Sequence, residues 1–139
     1  MKVSEKKKLL RAVDANYNRC REGLRVVEDI FRFVIGDDVV RKKLRTLRHS
    51  LDSIAKEKFL KDSILTRDSK KDLGRRVDKL ETKREGLNDV IYVNLQRAKE
   101  SLRVLEELFK VLIPARVKDI KKARYKLYTL EKQILIKRL

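Results

Sequence analysis

NRCREGLRVVED, residues 18–29, and LQRAKESLRVLEE, residues 95–107, read as two wordings of one helix. In the first, Cys20, Leu24 and Val27 fall three or four apart, and Phe31 and Val34 continue the stripe. In the second, Leu95, Ala98, Leu102, Leu105, Phe109 and Leu112 do the same. Subtracting 78 lays Asn94, Arg97, Glu100, Leu102, Arg103, Glu106, Glu107 and Phe109 over Asn16, Arg19, Glu22, Leu24, Arg25, Glu28, Asp29 and Phe31. Further along the offset becomes 76, matching Arg124, Tyr125 and Leu127 to Arg48, His49 and Leu51. A helical hairpin is therefore duplicated. Two such hairpins bury their stripes against each other as an all-α, four-helix bundle.

Outward from the two quoted stretches, the chain divides into a first repeat at about residues 5–59, a loop at 60–87 and a second repeat at about 88–137, all within one domain, 1–139. Gly36 is placed to end the first helix and Asp37 or Asp38 to cap the second. That second helix is expected to run to about Phe59, with Val40, Leu44, Leu47, Leu51 and Ile54 as its buried side. LKDSILTRDSKKDLGRRVDKLETKREGL, residues 60–87, has no sustained period and contains Gly74 and Gly86, as expected of a working loop or a disordered one. Asn88 is expected to cap the third helix, and Pro114 to sit in the first turn of the fourth.

Composition agrees with helices. Of 139 residues only four are Gly and one is Pro, while 42% are hydrophobic and another 42% charged. No apolar run approaches the roughly 20 residues that cross a bilayer, and MKVSEKKKLL lacks the apolar core of a signal peptide, so a cytoplasmic location without membrane contact is expected. One cysteine allows neither a disulfide nor a zinc set. The net charge of +17 fits a nucleic-acid surface, attraction for phosphorylated small molecules, or a plain coat of solvated lysines.

The polar residues within the apolar arc narrow this choice. At about 100° per residue, Asn16 falls inside the arc, Arg19 within its width and Glu22 on its border, and Asn94, Arg97 and Glu100 repeat the arrangement. Burying such groups unpaired costs several kcal/mol, so they are expected to pair as Arg19–Glu22 and Arg97–Glu100 or to line a pocket for an anion. Arg25, Glu28, Arg32, Glu106, Glu107 and Lys110 point further out and read as ordinary solvated charges, apart from their recurrence in both hairpins. In the loop, Arg67 suits a phosphate and Asp68 and Asp72 suit magnesium, or the aspartates simply cap a turn. No GxxxxGK[ST], dinucleotide fingerprint or HExxH is present. His49 reads as a packed or half-exposed imidazole, and Cys20 as core.

DANYNRCREGLRVVED resembles the opening motif of the small hydroxymethylpyrimidine phosphate kinases of thiamine biosynthesis, a domain often fused ahead of thiamine-phosphate synthase. The resemblance continues in order through LRHSL, RDSKKDLG, ETKR, NLQRAKESLRVLEELFK and RYKLYTLEK, while no synthase barrel is present, so the chain reads as a standalone member. Arg75 departs from the small hydroxyl residue expected after Gly74 in many relatives. The resemblance implies phosphorylation of 4-amino-5-hydroxymethyl-2-methylpyrimidine phosphate to its diphosphate, with ATP and Mg²⁺. It also implies no use of the unphosphorylated pyrimidine.

On that footing Arg19, Arg97, Arg67, Glu22 and Glu100 are expected to be catalytic, and Asp68, Asp72 and Glu106 to bind metal. Asn16, Asn94, Arg25, Arg103, Arg48 and Lys110 are expected to bind substrate. The expected partners are the pyrimidine phosphate and ATP, with a homodimer through leftover apolar surface. Two other readings stand beside this one: a basic helical RNA-binding module, which lacks the usual aromatic interleaving, and a noncatalytic carrier delivering the pyrimidine phosphate to the synthase.

Overall fold

The computed structural model describes residues 1–138, with Ala55 and Phe59 through their backbone alone. The first hairpin is α1 (Val3–Asp29), prolonged by a π-helical turn (Ile30–Ile35), and α2 (Asp38–Ser50). Short helices α3 (Asp52–Ala55), α4 (Lys58–Ile64) and α5 (Lys79–Thr82) follow. The second hairpin is α6 (Leu87–Leu112), a 3₁₀ turn (Pro114–Arg116) and α7 (Val117–Arg138). The fold is all-α, with no strand among the described residues. No described helix is long and apolar enough to cross a membrane.

The stripes read from the sequence build the core. Cys20, Leu24 and Val27 of α1 and Phe31 of its π turn are buried with Leu95, Ala98, Leu102, Leu105 and Phe109 of α6. Leu44 and Leu47 of α2, and Ile120, Leu127 and Ile134 of α7, close the bundle from their side. The two central helices approach closely at Gly23, where a Cβ would stand 2.9 Å from the Asn94 carbonyl oxygen and 3.7 Å from the Ala98 Cβ. The duplication repeats this contact with the roles exchanged. Ser101, which overlays Gly23, meets Cys20, which overlays Ala98. The two contacts advance along α1 while they retreat along α6, so the helices run antiparallel about a pseudo-twofold axis. Burial pushes the Cys20 thiol up to about 12, consistent with a core residue rather than a nucleophile.

The change of offset from 78 to 76 has a visible cause. In the first hairpin the carbonyl of Phe31 accepts from both Gly36 (2.9 Å) and Asp37 (3.0 Å), and Gly36 takes φ 77°, a left-handed conformation that only glycine adopts at little cost. Asp37 Oδ1 then accepts from the Val40 amide at 3.1 Å and starts α2. The second hairpin makes the same reversal with two residues fewer, through Ile113 and the Pro114 turn. The π turn also rotates the end of the helix, so Val34, expected in the core, is 66% exposed. Phe33 and Val26 are exposed as well.

Three expected boundaries differ. α2 stops at Ser50 rather than near Phe59, because the Ser50 and Ser53 hydroxyls bond the carbonyls of Leu47 and Ser50 and break the ladder. The apolar period survives the break, with Leu51, Ile54 and Leu60 all buried. Gly86, not Asn88, precedes α6, and the Asn88 side chain instead accepts from Arg138 Nε at 3.0 Å. Pro114 opens the 3₁₀ turn, one step before α7 itself.

Candidate functional site

Five arginines converge on the outer side of the first hairpin. Arg25 and Arg32 come from α1 and its π turn, while Arg41, Arg45 and Arg48 are spaced three or four apart along one face of α2. With His49, and with Glu28 and Asp38 as the acidic members, they line a cleft of about 580 Å³ whose end is formed by Phe31 and Gly36. The π turn thus shapes one wall.

The guanidiniums are held to different degrees. Glu28, only 3% exposed, takes Arg48 on both oxygens, with Nε at 2.8 Å and Nη2 at 3.4 Å. This fixes Arg48 as a rigid wall of the cleft. Arg41 Nε donates to Asp38 Oδ1 at 2.7 Å, and bonds from Lys42 and Arg41 hold the Asp38 carboxyl below the usual carboxylate range. Arg25 Nε lies 3.2 Å from Asp29 Oδ1 without hydrogen-bond alignment. Arg32 rests over the Phe33 ring at 4.7 Å, and Arg45 has no hydrogen-bond or ionic partner among the described residues. The cleft therefore offers more positive charge than its own carboxylates neutralise.

A polar seam continues from the cleft along α1. His49 Nδ1 is 3.9 Å from Asp52 Oδ2, and Asp52 pairs with Arg21, which also donates to the Tyr17 hydroxyl at 3.0 Å. One further turn toward the N-terminus, buried Asp14 accepts both prongs of Arg67, Nε at 2.7 Å and Nη2 at 2.8 Å. That bond raises the Arg67 pKa and ties the start of the long loop to the helix.

The second hairpin repeats the buried pair but closes over it. Glu106 Oε2 accepts from Arg124 Nε at 2.8 Å, as Glu28 does from Arg48. Arg124 then donates to the Tyr128 hydroxyl at 2.7 Å and lies 5.2 and 5.5 Å from the Tyr125 and Tyr128 ring centres. These rings pack edge to face and stand at the positions that His49 and Asp52 hold in the first hairpin.

Several residues expected to point inward do not. Arg19, Arg97, Glu22 and Glu100 are all exposed, and neither Arg19–Glu22 nor Arg97–Glu100 forms an ion pair among the described residues. They lie at the edge of the arc, on the solvent side of the α1–α6 pair. Arg97 borders a separate depression beside α5. Asn16 and Asn94 are buried and half-buried, but their amides donate to Ala12 and Val90 of their own helices, each at 2.9 Å. A donor wanted for reading a base edge is thereby committed.

Arg25 and Arg48 do line the cleft, whereas Arg103 lies 3.5 Å from Glu106 and Glu107, and Lys110 pairs with Glu107 at 2.7 Å. Asp68 and Asp72 cap the Lys71 and Gly74 amides through Oδ1, and Oδ2 of each has no partner among the described residues. Glu106, buried against Arg124, fits an ion pair and not a metal site. No cluster of three or more metal-binding side chains occurs among the described residues. Glu28, read as a solvated charge, is instead the buried anchor of the cleft, and Arg32, Arg41, Arg45 and His49 join it unannounced. The signal for the anchor was the duplication, since both members of Glu28–Arg48 overlay both members of Glu106–Arg124.

The pattern of the ThiD2 family matches residues 11–133. Among curated relatives, a thiamine-phosphate synthase of Gloeobacter violaceus is 38% identical over 135 residues, covering 94% of this chain and 38% of the relative. One of Synechocystis is 35% identical over 128 residues, covering 91% and 36%. One of Rhodopirellula baltica is 32% identical over 139 residues, covering 99% and 37%. The chain thus spans little more than a third of these relatives. No solved structure matches it.

Proposed function

This chain belongs to the ThiD2 family, and on that premise we propose that it is a kinase of thiamine biosynthesis, transferring the γ-phosphoryl group of ATP to hydroxymethylpyrimidine phosphate to give the diphosphate. The relatives' name supports the thiamine setting. Their remaining two-thirds is not part of the match, so their synthase activity is not carried over.

The observation that carries the reading is the cleft of the first hairpin, with five guanidiniums against two carboxylates and Arg45 without an ionic partner among the described residues. The acceptor is already a phosphate oxyanion, so the reaction requires no general base. It requires two polyanions to be held together against their repulsion. An oxygen of the acceptor phosphate bonds to the γ-phosphorus as the bond from that phosphorus to the β,γ-bridging oxygen breaks, and ADP leaves with the electron pair. In this reading Arg48, locked by Glu28, gives a fixed phosphate contact, and Arg45, Arg32 and Arg25 neutralise the charge of the transferring group. A substrate without a phosphate loses the chief contact.

Mg²⁺ uses one or two carboxylates together with substrate phosphates, and the Oδ2 atoms of Asp68 and Asp72 fit that donor set. When bound with ATP it lowers the negative charge on the β- and γ-phosphates. Coupled measurement of ADP release tests the reading. Turnover with the pyrimidine monophosphate and none with the free alcohol is expected. No ADP release with either contradicts it, and binding of the monophosphate without ADP release makes the protein a carrier.

A further inference from the structure

The loop between the hairpins is fastened at two points and free between them. At one end Arg67 grips Asp14 on α1. At the other, Asp78 and Leu80 border the depression on α6 that includes Arg97, the neighbour of the Ala98 that packs on Gly23. The far end therefore rejoins the bundle close to the level of Arg25, two residues beyond Gly23 on α1. Residues 69–77 between these points are all exposed, and among the described residues their hydrogen bonds close only onto Asp68 and Asp72. Leu73 is 101% exposed, an unusual position for a leucine, and Arg75 and Arg76 have no ionic partner among the described residues.

We propose that this strap closes over the arginine cleft when both substrates are bound, bringing Arg75 and Arg76 onto their phosphates and laying Leu73 across the opening. The proposal rests on the kinase reading above. The reach is sufficient. Asp14 and Arg25 lie eleven residues apart on one outer side of α1, about 16 Å of helix. Eight residues of strap from Arg67 to Arg75 span about 27 Å when extended, so closure requires little more than half that extension. Closure covers the one large apolar side chain that the open strap leaves wholly in water, and it adds two guanidiniums where charge develops during transfer. Arg75 and Arg76 are thus further substrate-binding residues, and the Arg67–Asp14 bond is the anchor about which the strap turns.

Limited trypsin digestion reads closure directly, because the strap offers cleavage after Lys70, Lys71, Arg75 and Arg76. With Mg²⁺, a non-hydrolysable ATP analogue and the pyrimidine monophosphate at saturation by calorimetry, cleavage in the strap is expected to slow about tenfold, as the open population falls. The R75A/R76A variant is expected to keep its denaturation midpoint while KM for the monophosphate rises about tenfold, the loss of one charge-assisted contact. Binding heat with unchanged cleavage, or an unchanged KM in the variant, overturns the strap and leaves the kinase reading standing. Absence of binding heat for both ligands overturns the kinase reading itself.

Discussion

The two hairpins keep the same buried ion pair and do opposite things with it. In the first, Glu28–Arg48 forms the back of an open, arginine-rich cleft beside a π turn and Gly36. In the second, Glu106–Arg124 is roofed by Tyr125 and Tyr128, and the chain reverses through a shorter connector built on Pro114. One ancestral unit has thus given a structural half and a half with spare positive charge. The difference lies in the two additional connector residues and in four replacements: His49 and Asp52 stand where the second half has Tyr125 and Tyr128, and Arg41 and Arg45 where it has Val117 and Lys121.

The largest expected effect tests what the halves share. Arg48→Ala leaves Glu28 buried without its partner and should lose about 3–5 kcal/mol in chemical denaturation, and Arg124→Ala, which leaves Glu106 only the longer contact to Arg103, should lose about 2–4 kcal/mol. Near-wild-type stability in either one breaks the equivalence of the two pairs. Next comes the central contact. Gly23→Ser writes the second half's Ser101 into the first, but its Cβ would meet the Asn94 carbonyl at 2.9 Å, so a loss of about 1–3 kcal/mol is expected. Stability equal to wild type would show that the helices separate there without cost.

The smallest effect sharpens the contrast between connectors. Hydrogen bonds from the Val40 amide and Lys137 hold the Asp37 carboxyl below its usual value. Its stabilisation is therefore present above the unfolded carboxylate range and fades as pH falls through the lower, folded value. Asp37→Ala should lose about 1 kcal/mol at neutral pH, and the gap to wild type should shrink in acid. The 3₁₀ turn of the second connector has no side-chain cap among the described residues, so for Asp37→Ala an equal gap at pH 7 and in acid would contradict the capping account.

The fold was legible because burial on a helix leaves a period, and Cys20, Leu24, Val27 and Phe31 kept it. Val34 lost it where the π turn adds residues to a single turn, a change of register that no fixed 100° step anticipates. The site was legible only in part. Glu28 lies on the side of α1 that faces α2, and its partner is twenty residues away, so the angle on one helix alone mistakes it for a solvent charge. Arg41 and Arg45 look like any exposed cations of α2 until α1 and its turn stand opposite them. Arg19 and Arg97 show the converse error, since an arc drawn wide enough to hold them reaches past the last helix able to bury them.

The claim that the first hairpin, and not the second, gathers the reacting phosphates meets its most direct test in Arg45→Ala measured beside Lys121→Ala, the same position in the other half. Neither residue has an ionic partner among the described residues, so neither change should move the denaturation midpoint. Arg45→Ala should lower kcat/KM for the pyrimidine monophosphate about a hundredfold, with Lys121→Ala close to wild type. Full activity in Arg45→Ala, or an equal loss in both, would contradict the account.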